Sequence, residues 1–140
     1  MSNPRPTLID TDAFSVLFVR YGSSDHRIAG WRDVLVGRQV LVSFQTRAEL
    51  LGGAASNGWG DRRTAKLRVM LDRTPTIGLD NEVIDAYATL FAACRRAGHG
   101  LQAKVHTGDR WVASCAIAKG IPLLAGDGIY RNAPSLDLVS

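Results

Sequence analysis

The chain has 140 residues, of which 46% are hydrophobic and 21% charged, with 14 glycines, 5 prolines and 2 cysteines. This composition predicts one globular domain over residues 1–140 and excludes a disordered chain or a small disulfide-stapled scaffold. The net charge is +4, from 17 Lys and Arg against 13 Asp and Glu, which permits a nucleic-acid partner without requiring one.

The sequence predicts neither membrane insertion nor secretion. No segment approaches the roughly 20 apolar residues of a membrane span, and no apolar stretch of signal-peptide length precedes Asp10. Cys94 and Cys115 lie in apolar helical patterns with no Cys or His partner at zinc spacing. We therefore expect a cytoplasmic protein in which both cysteines are reduced core residues.

The first part of the chain predicts a strand, two helices and a second strand. Residues 7–10 are a short apolar run ending in an acid, and the apolar residues from 13 to 18 follow helical spacing. A second helix fits residues 27–36, closed by Gly37, and residues 39–43 are β-branched and short enough for a buried strand.

The next helix is expected to begin near residues 43–46 and to be weakened by Gly52 and Gly53 and by the Ser-Asn-Gly cluster at 56–58. Residues 61–72 predict an amphipathic surface helix, and residues 76–79 a short strand. Asp80 can then cap a strongly periodic helix that stops at Gly98.

The last part of the chain predicts a helix that opens at residue 107 or 108 and ends at Gly120. Residues 121–125 and 136–139 then read as two strands. Strands that alternate with helices at this spacing imply βαβ units, hence an α/β fold whose mostly parallel central sheet is covered by helices on both faces.

Four acidic residues fall where the predicted strands end. Asp10 follows the first strand, Asp127 follows the strand at 121–125, Glu49 lies early in the helix after the second strand, and Asp109 opens the helix before the fourth. The carboxyl ends of parallel strands form one crevice, the usual ligand site of such sheets. Carboxylates that meet there repel one another unless a hard divalent cation such as Mg²⁺ or Mn²⁺ joins them.

Other catalytic arrangements have less support. The sequence has no Walker loop, no His-Glu-x-x-His pair and no complete dinucleotide-binding glycine fingerprint. His26, His99 and His106 fall in polar, turn-like contexts, so we expect solvated loop histidines and no Ser-His-Asp triad.

Four segments, taken in order, resemble the motifs of PIN-domain ribonucleases, and most closely the VapC-type toxins of bacterial toxin–antitoxin modules. They are Leu-Ile-Asp-Thr-Asp at residues 8–12, Ser-Phe-Gln-Thr-Arg-Ala-Glu-Leu at 43–50, Gly-Asp-Arg-Trp-Val-Ala at 108–113 and Ile-Pro-Leu-Leu-Ala-Gly-Asp at 121–127. The resemblance extends over nearly the whole chain. It implies a three-layer αβα fold, Mg²⁺- or Mn²⁺-dependent cleavage of RNA, a homodimer and a cognate VapB-type antitoxin.

The same resemblance implies that Asp10, Glu49, Asp109 and Asp127 are the catalytic, metal-binding acids, supported by the hydroxyls of Thr11 and Thr46. This sequence departs from the family pattern at two places. The family usually has Thr or Ser two residues before its fourth acid, where this chain has Ala125. Residues 102–108, which include His106, are not the commonest form either.

Two other functions remain open. Asp10 and Asp12 at a strand end resemble the Asp-x-Asp motif of haloacid-dehalogenase-type phosphatases, in which the first Asp is the nucleophile and the second the general acid. That family needs a second acid after its last core strand, and Asp127 is followed by Gly128 and Ile129 instead. A PIN-like domain that binds RNA or a partner without cutting is the other possibility.

The residues around the acids suggest RNA contacts. Arg110 and Arg131 lie close in sequence to Asp109 and Asp127, so we expect both arginines to contact the RNA backbone. Trp59 lies in a glycine-flanked loop and is a candidate for stacking on an unpaired base, whereas Trp111 fits a core stripe. The arginines and lysine between residues 62 and 68 are expected to form a solvated helix face.

Overall fold

The computed structural model describes residues 5–20 and 24–139 and confirms the predicted α/β fold. Its strands are β1 (Arg5–Ile9), β2 (Arg38–Ser43), β3 (Thr76–Ile77), β4 (Leu123–Leu124) and β5 (Leu138–Val139). Across the described residues they form one parallel sheet in the order β3-β2-β1-β4-β5. The central strand β1 is therefore the neighbour of β4, and the chain segments that follow these two strands meet at one edge of the sheet.

The helices are α1 (Thr11–Phe14), α2 (Ile28–Leu35), α3 (Phe44–Ser56), α4 (Asp61–Asp72), α5 (Asn81–Ala97) and α6 (Thr107–Lys119). A π-helical segment, Ser15–Val19, continues α1, and 3₁₀ turns cover Gly100–Gln102, Lys104–His106 and Gly128–Tyr130. Side chains of Asp10, Ser43 and Asp80 cap the first turns of α1, α3 and α5. Each accepts a hydrogen bond from the backbone N–H three residues on, which satisfies a donor that the helix leaves free.

The two faces of the sheet bury separate hydrophobic clusters. Leu8 and Leu123 pack in a first core cluster with buried residues of α5 and α6. Their chain neighbours Ile9 and Leu124 pack in a second core cluster with residues of α1, α2 and α4. Because consecutive strand residues point to opposite faces, this alternation places helices on both sides of the sheet and gives the three-layer αβα architecture.

The structure corrects three details of the sequence prediction. The helix α3 runs uninterrupted through Gly52 and Gly53, because Ala54 is buried in the second core cluster and packing outweighs the weak helix propensity of glycine, and it ends at Ser56, where the predicted Ser-Asn-Gly cluster begins. The predicted strand at residues 121–125 has only two paired residues, since Pro122 has no N–H and the N–H of Gly126 turns to a side chain. The helix predicted from residue 13 ends in π-helical geometry.

Both cysteines are free and buried, as predicted. Burial raises the pKa of Cys115 to about 12, so its thiol is not a nucleophile at neutral pH. None of the helices in the described part of the chain is long and apolar enough to cross a membrane.

Candidate active site

Asp10 is fixed by backbone N–H groups from both ends of the chain. It follows β1 and is only 2% exposed. Its Oδ1 accepts from Ala13 N at 2.8 Å, Gly126 N lies 3.0 Å from both carboxylate oxygens, and Asp127 N donates to Oδ2 at 3.3 Å. Burial raises the pKa of Asp10 to about 6, although these backbone donors pull it down. The carboxylate is therefore rigid and costly to keep charged.

Asp127 contributes to the same corner through its backbone and its side chain. It follows β4, and its Oδ1 accepts from Ile129 N at 3.0 Å, capping the 3₁₀ turn Gly128–Tyr130. The residue is exposed. Ala125, where the resemblance would place a hydroxyl, packs against the first core cluster instead.

Asp109 is held from two sides. In the first turn of α6, its Oδ1 accepts from the Tyr130 hydroxyl at 3.3 Å, and its Oδ2 accepts from His106 Nδ1 at 2.8 Å. Asp109 and His106 are each about one-third exposed. The prediction of a solvated loop histidine is wrong for His106, because its ring orients a candidate catalytic carboxylate. It is also wrong for His99, whose ring bonds Leu101 N and the Arg131 carbonyl.

Glu49 reaches this crevice from α3. The Gln45 amide donates to its Oε1 at 3.0 Å across one helical turn. Gly108, at the start of α6, lies so close that a Cβ there would be 2.8 Å from both Glu49 Oε1 and Gln45 Nε2. A glycine at position 108 thus lets the first turn of α6 approach the side chain of Glu49.

Tyr130 lies among the acids and was missed by the sequence analysis. The residue is 1% exposed. Burial raises the pKa of its hydroxyl far above the usual value, and the negative charges of Asp109, Asp10 and Glu49 raise it further. The phenol therefore stays protonated, and it lies close enough to three of the four predicted acids for their charges to raise its pKa. Its position three residues after Asp127, the span of the 3₁₀ turn, is the signal that could have identified it.

The two hydroxyls predicted to support the site lie together. Thr11 Oγ1 and Thr46 Oγ1 are 2.9 Å apart, and Ser43 Oγ donates to Thr46 Oγ1 at 3.2 Å. Ser43 and Thr46 are fully buried. This chain of hydroxyls joins the start of α1, next to Asp10, to the start of α3, which carries Glu49.

Asp12 is paired outside this set of acids. Its Oδ2 lies 3.1 Å from Arg27 Nη1, which also donates to the Gly126 carbonyl at 3.0 Å. A Cβ at Gly126 would overlap the carboxylate of Asp12, so a larger residue there would push Asp12 away from Arg27. Arg27 thus links the start of α1 to the loop whose N–H groups hold Asp10.

A family model described as PIN domain matches residues 7–136. The chain belongs to the PIN-domain family. Ribonuclease VapC4 of Mycobacterium tuberculosis (strain ATCC 25618 / H37Rv) is 29% identical over 110 residues, which cover 77% of this chain and 82% of that protein. The match overturns the phosphatase alternative, in which Asp10 and Asp12 would have been nucleophile and general acid.

Solved structures share the fold at low sequence identity. VapBC2 from Rickettsia felis, bound to a DNA fragment from its promoter, has a TM-score of 0.74, 18% identity and coverage of 96% of this chain and 97% of that one. FitAcB from Neisseria gonorrhoeae has a TM-score of 0.71 and 20% identity, with 96% of each chain covered. VapBC-5 from Mycobacterium tuberculosis, a member of the VapBC family of toxin–antitoxin systems, has a TM-score of 0.67, 18% identity, and 97% and 98% coverage.

The donors around this PIN domain's crevice suit a hard divalent cation. All are carboxylates, and the pKa of Asp10 and that of Tyr130 are raised partly by neighbouring negative charges that a cation would neutralise. Over residues 5–20 and 24–139, no three His, Cys, Asp or Glu side chains converge closely enough to hold an ion by themselves. Of the four predicted acids, Glu49 and Asp127 are exposed, whereas Asp10 and Asp109 are held by hydrogen bonds.

The predicted RNA contact of Arg110 is wrong. Arg110 is only 4% exposed, and its guanidinium donates to the carbonyls of Leu101 and Ala103 and to the hydroxyls of Tyr87 and Thr107. Adjacent helix residues point about 100° apart, so proximity to Asp109 in sequence did not mean proximity in space. Arg110 is a buried structural residue of this PIN domain.

The other two predicted RNA contacts lie at the surface. Arg131 is exposed. Trp59 is partly buried against the second core cluster, and the guanidinium of Arg63 covers its ring 3.5 Å from the centroid. One face of the indole is thus already stacked, while Trp111 packs against Tyr87 and Phe44 as the core stripe predicted.

Proposed function

We propose that this PIN domain is an endoribonuclease that depends on Mg²⁺ or Mn²⁺ and acts as the toxin of a toxin–antitoxin module. The observation that carries the proposal is the group of carboxylates around Tyr130 at the carboxyl edge of the sheet. The family match and the similarity to a protein named ribonuclease VapC4 support it. Asp10, Glu49, Asp109 and Asp127 are the acids that would hold the ion.

In this proposal, the chain's own residues prepare the crevice. Three backbone N–H groups keep Asp10 in one orientation, and Tyr130 with His106 does the same for Asp109. Such partners fix the geometry of metal-binding carboxylates and strengthen binding. A divalent ion held by these acids would activate water near neutral pH and would supply positive charge against the phosphodiester.

The test is cleavage of a labelled RNA by the purified protein with Mg²⁺ or Mn²⁺, compared with excess EDTA. We expect cleavage only with metal, and we expect Asp10→Asn to abolish it while Asp12→Asn retains most of it. Undiminished cleavage in EDTA would contradict metal dependence. RNA binding without cleavage under any metal condition would favour the non-catalytic PIN-like domain.

We also propose a VapB-type antitoxin partner, a homodimer and a cytoplasmic location. Phe18 and Val36 are 41% and 77% exposed, and they line an apolar groove of about 440 Å³ with Leu17, Leu35 and Val40. An apolar antitoxin helix covering this groove would gain roughly 25 cal/mol per Å² of buried apolar area, before ordering costs.

The acidic crevice would repel an acidic inhibitor, so we propose that the antitoxin inserts an Arg or Lys among the four carboxylates. Bound Mn²⁺ should then fall when the toxin is neutralised, and substitution of the inserted residue should restore cleavage without fully separating the pair. Equal Mn²⁺ content in free and neutralised toxin, with complete inhibition, would mean that the antitoxin blocks access of RNA instead.

A further inference from the structure

A second groove opens directly beside the candidate active site. It lies between the π-helical segment, α3 and α4, has a volume of about 750 Å³ and includes Glu49 in its wall. The helix α4 contributes Arg63, Lys66, Leu67 and Met70, which share one face of the helix because they are spaced i, i+3, i+4 and i+7. We call this the α3–α4 groove.

The floor of the α3–α4 groove is apolar and its rim is cationic. Leu50, Leu67 and Met70 line the floor, and Arg20, Arg63 and Lys66 add three positive charges against the single negative charge of Glu49. An apolar helix from a partner protein would bury the floor of the groove but would make no use of its positive charges. The rim of cations next to a catalytic carboxylate matches a ligand that carries both flat apolar groups and phosphates.

Trp59 and Arg63 form a stacked pair in the wall of this groove. The Arg63 guanidinium lies 3.5 Å from the indole centroid, and both side chains line the groove. Proteins that recognise single-stranded RNA stack unpaired bases on aromatic rings and on Arg guanidinium planes. Asn57 and Ser15, also in the groove wall, offer hydrogen-bonding groups to a base edge.

We propose that the α3–α4 groove binds an unpaired nucleotide of the RNA next to the bond that is cut. The base enters over the apolar floor and stacks on Arg63, while Arg20 and Lys66 contact the adjoining phosphates. This inference rests on the proposed ribonuclease function and identifies its substrate as RNA with an extruded or single-stranded nucleotide at the cleavage site.

The test measures binding, not cleavage. A fluorescein-labelled single-stranded RNA oligonucleotide is titrated with protein in EDTA at several salt concentrations. We expect Arg63→Gln and Lys66→Gln each to raise the Kd about tenfold, and Lys66→Gln also to lower the salt dependence, by about 0.7 in the log–log slope for each phosphate that the variant no longer neutralises. Arg68→Gln is the matched control, because Arg68 is exposed on the same helix outside the groove.

A second variant separates stacking from charge. Arg63→Lys keeps the positive charge but loses the plane, so we expect it to keep the parent's salt slope and to bind RNA more weakly. If Arg63→Gln and Lys66→Gln bind RNA as tightly as Arg68→Gln, the groove does not hold RNA and the inference fails, even if the protein cleaves RNA. If these variants weaken binding but the parent cleaves no RNA with metal, the proposed catalytic function fails and the binding groove stands.

Discussion

At the residue scale, Asp10 serves the fold and the site with the same two oxygens. Its Oδ1 caps α1 through Ala13 N, and both oxygens receive the N–H of Gly126. Burial outweighs these hydrogen bonds, so the pKa of Asp10 rises from 3.8 to about 6. The site therefore stores unfavourable electrostatic free energy that a bound cation would relieve.

This burial predicts an unusual pH dependence for the metal-free protein. The folded state holds the Asp10 proton more tightly than the unfolded chain, so the contribution of Asp10 to the free energy of unfolding is greatest below pH 4. It declines as the pH rises to about 6, by about 3 kcal/mol. Urea unfolding in EDTA at several pH values should show that Asp10→Asn lacks this decline. Parallel stability curves for parent and variant between pH 4 and 6 would contradict it.

Tyr130→Phe removes one hydroxyl from the site and leaves the buried ring in place. Asp109 loses its 3.3 Å partner, and loss of such an outer partner costs about 10- to 100-fold in metal affinity. Titration with Mn²⁺ alone measures this. Tyr87→Phe is the matched control, since the Tyr87 hydroxyl accepts from Arg110; a similar loss of Mn²⁺ affinity in both variants would mean that Tyr130 acts only through the core.

At the element scale, the distance between α3 and α6 is limited by a single glycine. Gly108→Ala would place its Cβ 2.8 Å from Glu49 Oε1, and a flexible carboxylate can yield to it without disturbing the fold. We expect RNA cleavage to fall at least tenfold while the free energy of unfolding stays constant or rises by up to about 1 kcal/mol, because alanine favours a helix.

Two comparisons make this prediction specific to Glu49. Gly52→Ala in α3, where nothing lies within 4 Å of the new Cβ, should stabilise the protein by a similar amount and leave cleavage unchanged. In a Glu49→Ala background, Gly108→Ala should have no further effect on Mn²⁺ affinity. Additive losses in the double variant would show that Gly108 matters for another reason.

Arg110 ties the segment before α6 to α5. Arg110→Met would remove the guanidinium donor from the Leu101 carbonyl and leave the Ala103 carbonyl with only the His106 N–H, and we expect the free energy of unfolding to fall by about 2–5 kcal/mol. The exposed Arg131→Met should change it by less than about 0.5 kcal/mol and weaken RNA binding instead. Denaturant unfolding and RNA-binding anisotropy are measured on both variants. If Arg110 were the RNA contact, Arg110→Met would weaken RNA binding and Arg131→Met would not.

At the scale of the whole molecule, the sequence predicted most of the architecture. Periodicity located the helices, the amphipathic helix at residues 61–72 to the residue, and the alternation of elements implied the parallel sheet. The length of the strand near residues 121–125 was overestimated. The paired length of a strand depends on which of its neighbouring backbone N–H groups bond to side chains instead, and the sequence pattern does not show this. Gly52 and Gly53 misled for the same reason, since local propensity cannot register the burial of Ala54.

The candidate site was predictable in its acids but not in their partners. Asp10 and Asp127 stand at strand ends, where topology alone brings them together. The contacts of Tyr130 and His106 depend on 3₁₀ turns, and that of Gly108 depends on the close approach of α6 to Glu49. Neither feature has a residue pattern by which the sequence could predict it. The assignment of a single domain and the roles of the four acids stay predictions until they are tested.

The sheet order also decides when the crevice can exist. Gly126 N and Asp10 are joined across 116 positions of sequence, and they meet only after β4 has paired with β1. Since a chain leaves the ribosome from its N-terminus, Asp10, Glu49 and Asp109 all emerge before the loop that orients the first of them. A ribonuclease built in this order cannot assemble its cutting site until residues 123–127 have left the ribosome, so a nascent chain that carries only the first three acids lacks the loop that orients Asp10.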